Sequence, residues 1–122
     1  MRPMYTVCVE ARFSATHRVR LPGGELEPLH GHDWRVRAWF SRPELDDFGM
    51  VVDFECARAV LEGIARGWHH RNLNEERLFD DVEPTAERVA RVVFEMLVSN
   101  GLDGVRRVEI TEAPGCVAAY ER

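Results

Sequence analysis

Two stretches of apolar alternation constrain this chain more than any other feature. Across residues 4 to 16, Tyr5, Val7, Val9, Ala11 and Phe13 recur at every second position, with Glu10 and Arg12 on the alternate side. From His30 to Ser41, Trp34, Val36, Ala38 and Phe40 alternate with Asp33, Arg35 and Arg37. A period of two is that of a strand with one buried face. Both stretches therefore read as strands, and a long loop broken at Pro22-Gly23-Gly24 lets them pair as a hairpin. The period then changes to that of a helix. Asp53 is placed to cap a helix starting near Phe54, whose stripe is Phe54, Ala57, Val60/Leu61, Ile64 and Trp68. Residues 69 to 83 read as irregular. Pro84-Thr85 opens a second helix with Glu87 in its first turn, a stripe of Val89, Val92/Val93, Met96 and Leu97, and a stop at Asn100-Gly101. Val105 to Thr111 and Cys116 to Tyr120 then read as short strands around Ala113-Pro114-Gly115. The order β-β-α-α-β-β predicts an α+β fold.

With 122 residues and no repeat, linker or low-complexity segment, one domain spanning residues 1–122 is expected. The formal charge of −5, without a dense Lys/Arg cluster, argues against nucleic acid as a partner. Three cysteines, Cys8, Cys56 and Cys116, are an odd number with no CxxC spacing. That argues against a disulfide framework or a cysteine-ligated zinc, and fits a reducing cytoplasm. No signal peptide and no membrane-spanning run of apolar residues is visible, so no membrane partner is expected.

Chemistry concentrates in the histidines. The five lie in three places: His17, His30/His32 and His69/His70. In a strand, His30 and His32 project on the same face, so their imidazoles converge on one point. His17, ending the neighbouring strand, is placed to supply a third. Three imidazoles and an open fourth position make a catalytic zinc site. An HxH pair alone also occurs as ordinary hydrogen-bonded histidines, so its context decides.

That context is a series of motifs in order. They are Phe13-Ser14-Ala15-Thr16-His17, Leu29-His30-Gly31-His32, Gly49-Met50-Val51-Val52-Asp53-Phe54, His70-Arg71-Asn72-Leu73-Asn74, Pro84-Thr85-Ala86-Glu87 and Thr111-Glu112. Together they resemble the 6-pyruvoyl-tetrahydropterin synthase family, which includes the 6-carboxy-tetrahydropterin synthases. The resemblance implies a four-stranded antiparallel sheet with two helices on one face, the tunnelling fold. It also implies subunits joined through edge strands into barrels, as trimers or hexamers. It implies zinc held by His17, His30 and His32, and a small-molecule pterin substrate anchored by Glu112 with help from Thr85 and Glu87. Thr85 and Glu87 read equally well as helix-capping residues, and Asp53 reads as a cap first.

The chain departs from the family in two places. The family's cysteine, four residues before the first His of HGH, is Leu26 here, and the aspartate of its Asp-His pair is His69, leaving only His70. Leucine cannot move a proton, and an imidazole is no anionic partner for another imidazole. Glu25 and Glu27 flank the vacant position and are candidates to replace the thiol as base, with solvated loop acids as the alternative. Cys116 is expected to be a buried structural thiol, and Trp34, Trp39 and Trp68 core or interface residues. Arg18, Arg20 and Arg71 are candidates for a substrate triphosphate or plain surface charges. The leading expectation is a zinc-dependent lyase or synthase acting on a reduced pterin such as 7,8-dihydroneopterin triphosphate. His70 with Glu27 or Glu25 would move protons. The alternatives are a pterin or purine binder that lost the proton relay, and a zinc hydrolase unrelated to pterins.

Overall fold

The structure, a computed structural model, describes residues 2–122. Its elements are β1 (Tyr5–His17), β2 (His30–Arg42), α1 (Phe54–Trp68), β3 (Arg71–Asn72), α2 (Ala86–Ser99), β4 (Val105–Ala113) and β5 (Cys116–Glu121). One sheet runs β3-β1-β2-β4-β5. The four long strands pair antiparallel as the alternation requires, and the β1–β2 register runs unbroken from Tyr5↔Arg42 to His17↔His30. The expected four-stranded antiparallel sheet gains a fifth strand. Two residues, Arg71–Asn72, pair parallel with Ala15 and Thr16 at the β1 edge. A two-residue strand is too short to have a period, which is why 69–83 read as irregular. The rest of that segment holds two single-turn 3-10 helices, Leu73–Glu75 and Arg77–Phe79.

Both α-helices lie on one sheet face. That face carries Val9, Ala11, Phe13 and Ala15 of β1, Trp34, Val36, Ala38 and Phe40 of β2, and Val108 and Ile110 of β4, all buried. α1 contributes Ala57, Leu61, Ile64, Ala65 and Trp68, and α2 contributes Val89, Ala90, Val93, Phe94 and Leu97. Burying ten or so such side chains in one layer is the main favourable term in folding. Helix ends are satisfied locally. Asp53 Oδ1 accepts from Glu55 N at 2.9 Å, and Thr85 Oγ1 from Arg88 N at 3.2 Å. Gly101, with φ of 85°, follows α2 in the left-handed conformation that glycine adopts freely.

Three expectations fail in detail. Tyr5 and Phe54, assigned to buried faces, are 54% and 56% exposed. Periodicity reports the face a side chain is on, not whether anything covers that end of it. Both residues line one apolar cleft with Leu45 and Met50. Cys116, expected as a buried thiol, is exposed, because it opens the outermost strand. Trp34 and Trp68 are core, whereas Trp39 lies half-buried on the face away from the helices, with Arg37 and Arg107 each 5.5 Å from its ring.

Candidate metal centre

The register places the histidines. His17 pairs directly with His30, and Ala15 with His32, so His17 faces one imidazole across the strand and the other on the diagonal. The three ring centroids form a nearly equilateral triangle, with separations of 4.8, 5.0 and 4.7 Å. One ligand nitrogen from each lies within 4.8 Å of the others, making this a group able to hold one metal ion.

The rings are held from behind. His17 Nδ1 lies 2.9 Å from the Pro84 carbonyl and His30 Nδ1 2.8 Å from that of Pro28. A carbonyl only accepts, so each Nδ1 carries the proton, and in the neutral ring the lone pair is on Nε2. This backbone partner for the far nitrogen is the usual arrangement behind metal-binding histidines. Trp34, fully buried, floors the site with its ring 4.8 Å from His17 and 5.5 Å from His32, and its Nε1 donates to the Ala15 carbonyl. Among the described residues, His17 Nε2 and His32 Nε2 are buried without a hydrogen-bond partner. Burial, the largest cause, lowers the His32 pKa below its ordinary 6.5, and the neighbouring His17 and His30 add to this while Glu112 opposes it. The unprotonated ring is the form a metal requires. On this donor set, three imidazole nitrogens aimed at one point, the residues fit a divalent ion such as zinc.

Two carboxylates flank the triad. Glu112 Oε1 lies 3.4 Å from His32 Nε2, and Oε2 lies 3.8 Å from His17 Nε2. Glu27 Oε1 lies 3.8 Å from His30 Nε2 and accepts from Val19 N at 3.0 Å, while Glu27 N donates to the Val19 carbonyl. Glu27 is thus fixed at both backbone and side chain. Glu25 is exposed, its carboxylate folded back over Gly23, and makes no ion pair with the triad among the described residues. Leu26 is 41% exposed.

His70 and His69 lie at the turn into β3. His70 has φ of 61°, a strained value for a non-glycine residue. Its N–H donates to the Ser14 carbonyl, and Ser14 N donates at 3.0 Å to Nδ1 of His69, whose ring stacks on that of His70 at 3.8 Å. The pair therefore closes the β1 edge at Ser14. His70 and Arg71 line a cleft of about 500 Å³ that reaches Gly31 and His32. Thr85 caps α2, and Glu87 is exposed in its first turn. Arg20 is tied to Glu83 and to the Gly24 carbonyl, and Arg18 is exposed, its backbone N–H and carbonyl both bonded to the Asn74 side chain. The resemblance implied only a pterin-anchoring part for Glu112; the structure sets its carboxylate beside His17 and His32. Its contacts with His17 and His32 arise from the β2–β4 pairing and a bulge between Thr111 and Ala113, neither of which has a local signal.

The family model described as 6-pyruvoyl tetrahydropterin synthase matches residues 6–122. A 6-carboxy-5,6,7,8-tetrahydropterin synthase of Synechocystis is 30% identical, across 96% of this chain and 93% of that protein. A dihydroneopterin monophosphate aldolase of Pyrococcus furiosus is 32% identical, across 77% of this chain and 75% of its own. Among solved structures, the 6-pyruvoyl tetrahydropterin synthase of Caenorhabditis elegans superposes with a TM-score of 0.84 at 25% identity, covering 98% of this chain and 96% of that one.

Proposed function

Because the chain belongs to the 6-pyruvoyl tetrahydropterin synthase family, we propose that it is a zinc-dependent lyase or synthase acting on a reduced pterin such as 7,8-dihydroneopterin triphosphate. The observation that carries this reading is the triangle of three imidazoles with their free nitrogens converging and Glu27 fixed beside it. His17, His30 and His32 would hold the ion. Zinc, when bound, supplies a positive charge that polarises the side-chain oxygens of a substrate. Glu27 is the base. Its carboxylate is held in place by Val19 and lies 3.8 Å from His30 Nε2, at the side of the triad. His70, on the cleft that reaches His32, takes part in moving the proton onward. Glu112 accepts two hydrogen bonds from the amino-pyrimidine edge of the ring, with Thr85 and Glu87 near the α2 start as its helpers. Glu25 has no contact that supports a catalytic part.

Two open sheet edges among the described residues support a homo-oligomer, which the family resemblance makes a trimer or hexamer, and three free cysteines fit a reducing cytoplasm. β5 is the last strand on one side, and β3 covers β1 only at Ala15 and Thr16. Open edges of this length are normally covered. Solution mass tests this, and a monomer would contradict it.

The deciding experiment is turnover. Zinc-loaded protein is incubated with 7,8-dihydroneopterin triphosphate, and products are separated by chromatography and identified by mass. A pyruvoyl, carboxy or hydroxymethyl pterin is the expected result. No product, while a cysteine-containing relative is active alongside, would refute the lyase reading. One observation favours a second reading: the exposed Leu26 brings no thiol to the triad. A pterin binder without catalysis would then remain, detectable as affinity without turnover.

A further inference from the structure

The contact between Glu112 and the histidines is unusual in its geometry. His17 presents a lone pair on Nε2, since its Nδ1 proton faces the Pro84 carbonyl. A carboxylate oxygen 3.8 Å away presents lone pairs as well. Two acceptors face each other on the buried side of the site, and His32 Nε2, at 3.4 Å from the other oxygen, likewise has no hydrogen-bond partner among the described residues. Something positive belongs between them. A shared proton would draw nitrogen and oxygen to about 2.7–2.9 Å, shorter than either distance. Two ligands on adjacent vertices of a tetrahedral zinc site are about 3.3 Å apart, given metal–ligand bonds of about 2.0–2.1 Å. The 3.4 Å contact between Oε1 and His32 Nε2 matches that edge, while the 3.8 Å contact with His17 is made by the other oxygen, Oε2.

Glu27 does not compete for the same place. It approaches only His30, and its nearer oxygen already accepts the Val19 N–H. Glu112 approaches two imidazoles with two different oxygens and has no hydrogen-bond donor of its own among the described residues.

We propose that Glu112 is a fourth protein ligand of the metal in the resting protein, so that the centre is a closed His₃Glu site which substrate opens by displacing the carboxylate. The inference rests on the reading that the triad holds a divalent ion. It gives Glu112 two successive partners. The metal holds it while the site is empty of substrate, and the amino-pyrimidine edge receives it once substrate oxygens have taken its place. The two carboxylates then divide the work, Glu112 as a displaceable ligand and Glu27 as the base that never leaves its tether.

Cobalt(II) is the probe, because its visible absorption reports ligand number and type in a zinc-like site. Wild-type protein, Glu112→Gln, Glu27→Gln and His30→Ala are titrated with cobalt, and affinities are measured by competition with a chelator. Glu112→Gln should bind cobalt at least 10-fold more weakly, with a changed band, in line with the about 10–100-fold losses seen even for residues that only support ligands. Glu27→Gln should stay within about twofold of wild type. Added acetate should restore the wild-type band to Glu112→Ala, which also controls for folding. Equal affinity and an unchanged band in Glu112→Gln would overturn the inference while leaving the triad intact, and so would a loss confined to Glu27→Gln. Uptake that is absent in wild type, or undiminished in His30→Ala, would instead overturn the metal reading on which it rests.

Discussion

Thr85 separates a structural role from a substrate-binding one. Its hydroxyl accepts the Arg88 N–H at 3.2 Å, from a backbone at φ −68° and ψ 159°, the extended conformation of an N-cap. Replacing such a cap by alanine costs about 0.5–2 kcal/mol. The bond is at the long end of the normal range and the residue is half-buried, so Thr85→Ala should cost about 1 kcal/mol. For a domain of this size that is about 3–5 °C in Tm. Serine and asparagine cap as well as threonine, so Thr85→Ser and Thr85→Asn should melt close to wild type. Thermal unfolding followed by circular dichroism measures all three. The adjoining Pro84 is buried, and its carbonyl holds His17, so the metal site should survive the loss of the hydroxyl. Wild-type melting of Thr85→Ala, or equal loss in Thr85→Asn, would refute the capping account and leave the hydroxyl free for a pterin.

The cysteines should differ in reactivity. Burial, ahead of the opposing charge of Arg37, raises the pKa of the Cys8 thiol above 9.0, whereas Cys56 and Cys116 are exposed. Alkylation of native protein at neutral pH, read by mass spectrometry, should therefore modify Cys56 and Cys116 well before Cys8, and equal rates would contradict the packing of β1. At the β1 edge, His69→Ala should remove the acceptor of the Ser14 N–H, costing about 1 kcal/mol and speeding hydrogen exchange of that amide. His69→Asp, which keeps an acceptor, should restore protection. An unchanged Ser14 exchange rate in His69→Ala would show that the imidazole does not hold this edge.

The parts legible in the sequence were those with local causes. The alternation in Val9–Phe13 and Trp34–Phe40 specified both long strands, and the same alternation put His30 and His32 on one face. Asp53 and Thr85 marked both helix starts within a residue, because a cap is a local hydrogen bond. The illegible parts were set by pairing between distant segments. Nothing local brings Glu112 to His32; the β2–β4 register and the bulge beside it do. Nothing local tells that Pro84 and Pro28 carbonyls back His17 and His30. The exposure of Cys116 followed from its strand being outermost, a property of topology and not of the residues around it.

The loop before β2 fixes where residues 26 and 27 point, and with Glu27 as the proposed base it makes a further prediction. Arg20 and Leu26 form an antiparallel bridge, and Glu27 N donates to the Val19 carbonyl, so residues 26 and 27 run as a short extended ribbon. Neighbours on such a ribbon point to opposite sides. Glu27 points towards His30, which turns Leu26 away, as its 41% exposure shows. Restoring cysteine at position 26 should then fail to supply a thiol to the triad. Leu26→Cys should be labelled quickly by a thiol reagent in the presence of bound metal, and should leave product formation from 7,8-dihydroneopterin triphosphate at the parent level. Glu27→Gln should lower it by about 10²–10⁴-fold, the range typical of losing a positioned base. If Leu26→Cys instead raised turnover 10-fold or more and resisted labelling, the ribbon would have to shift by one residue, and Glu27 would lose its place beside His30.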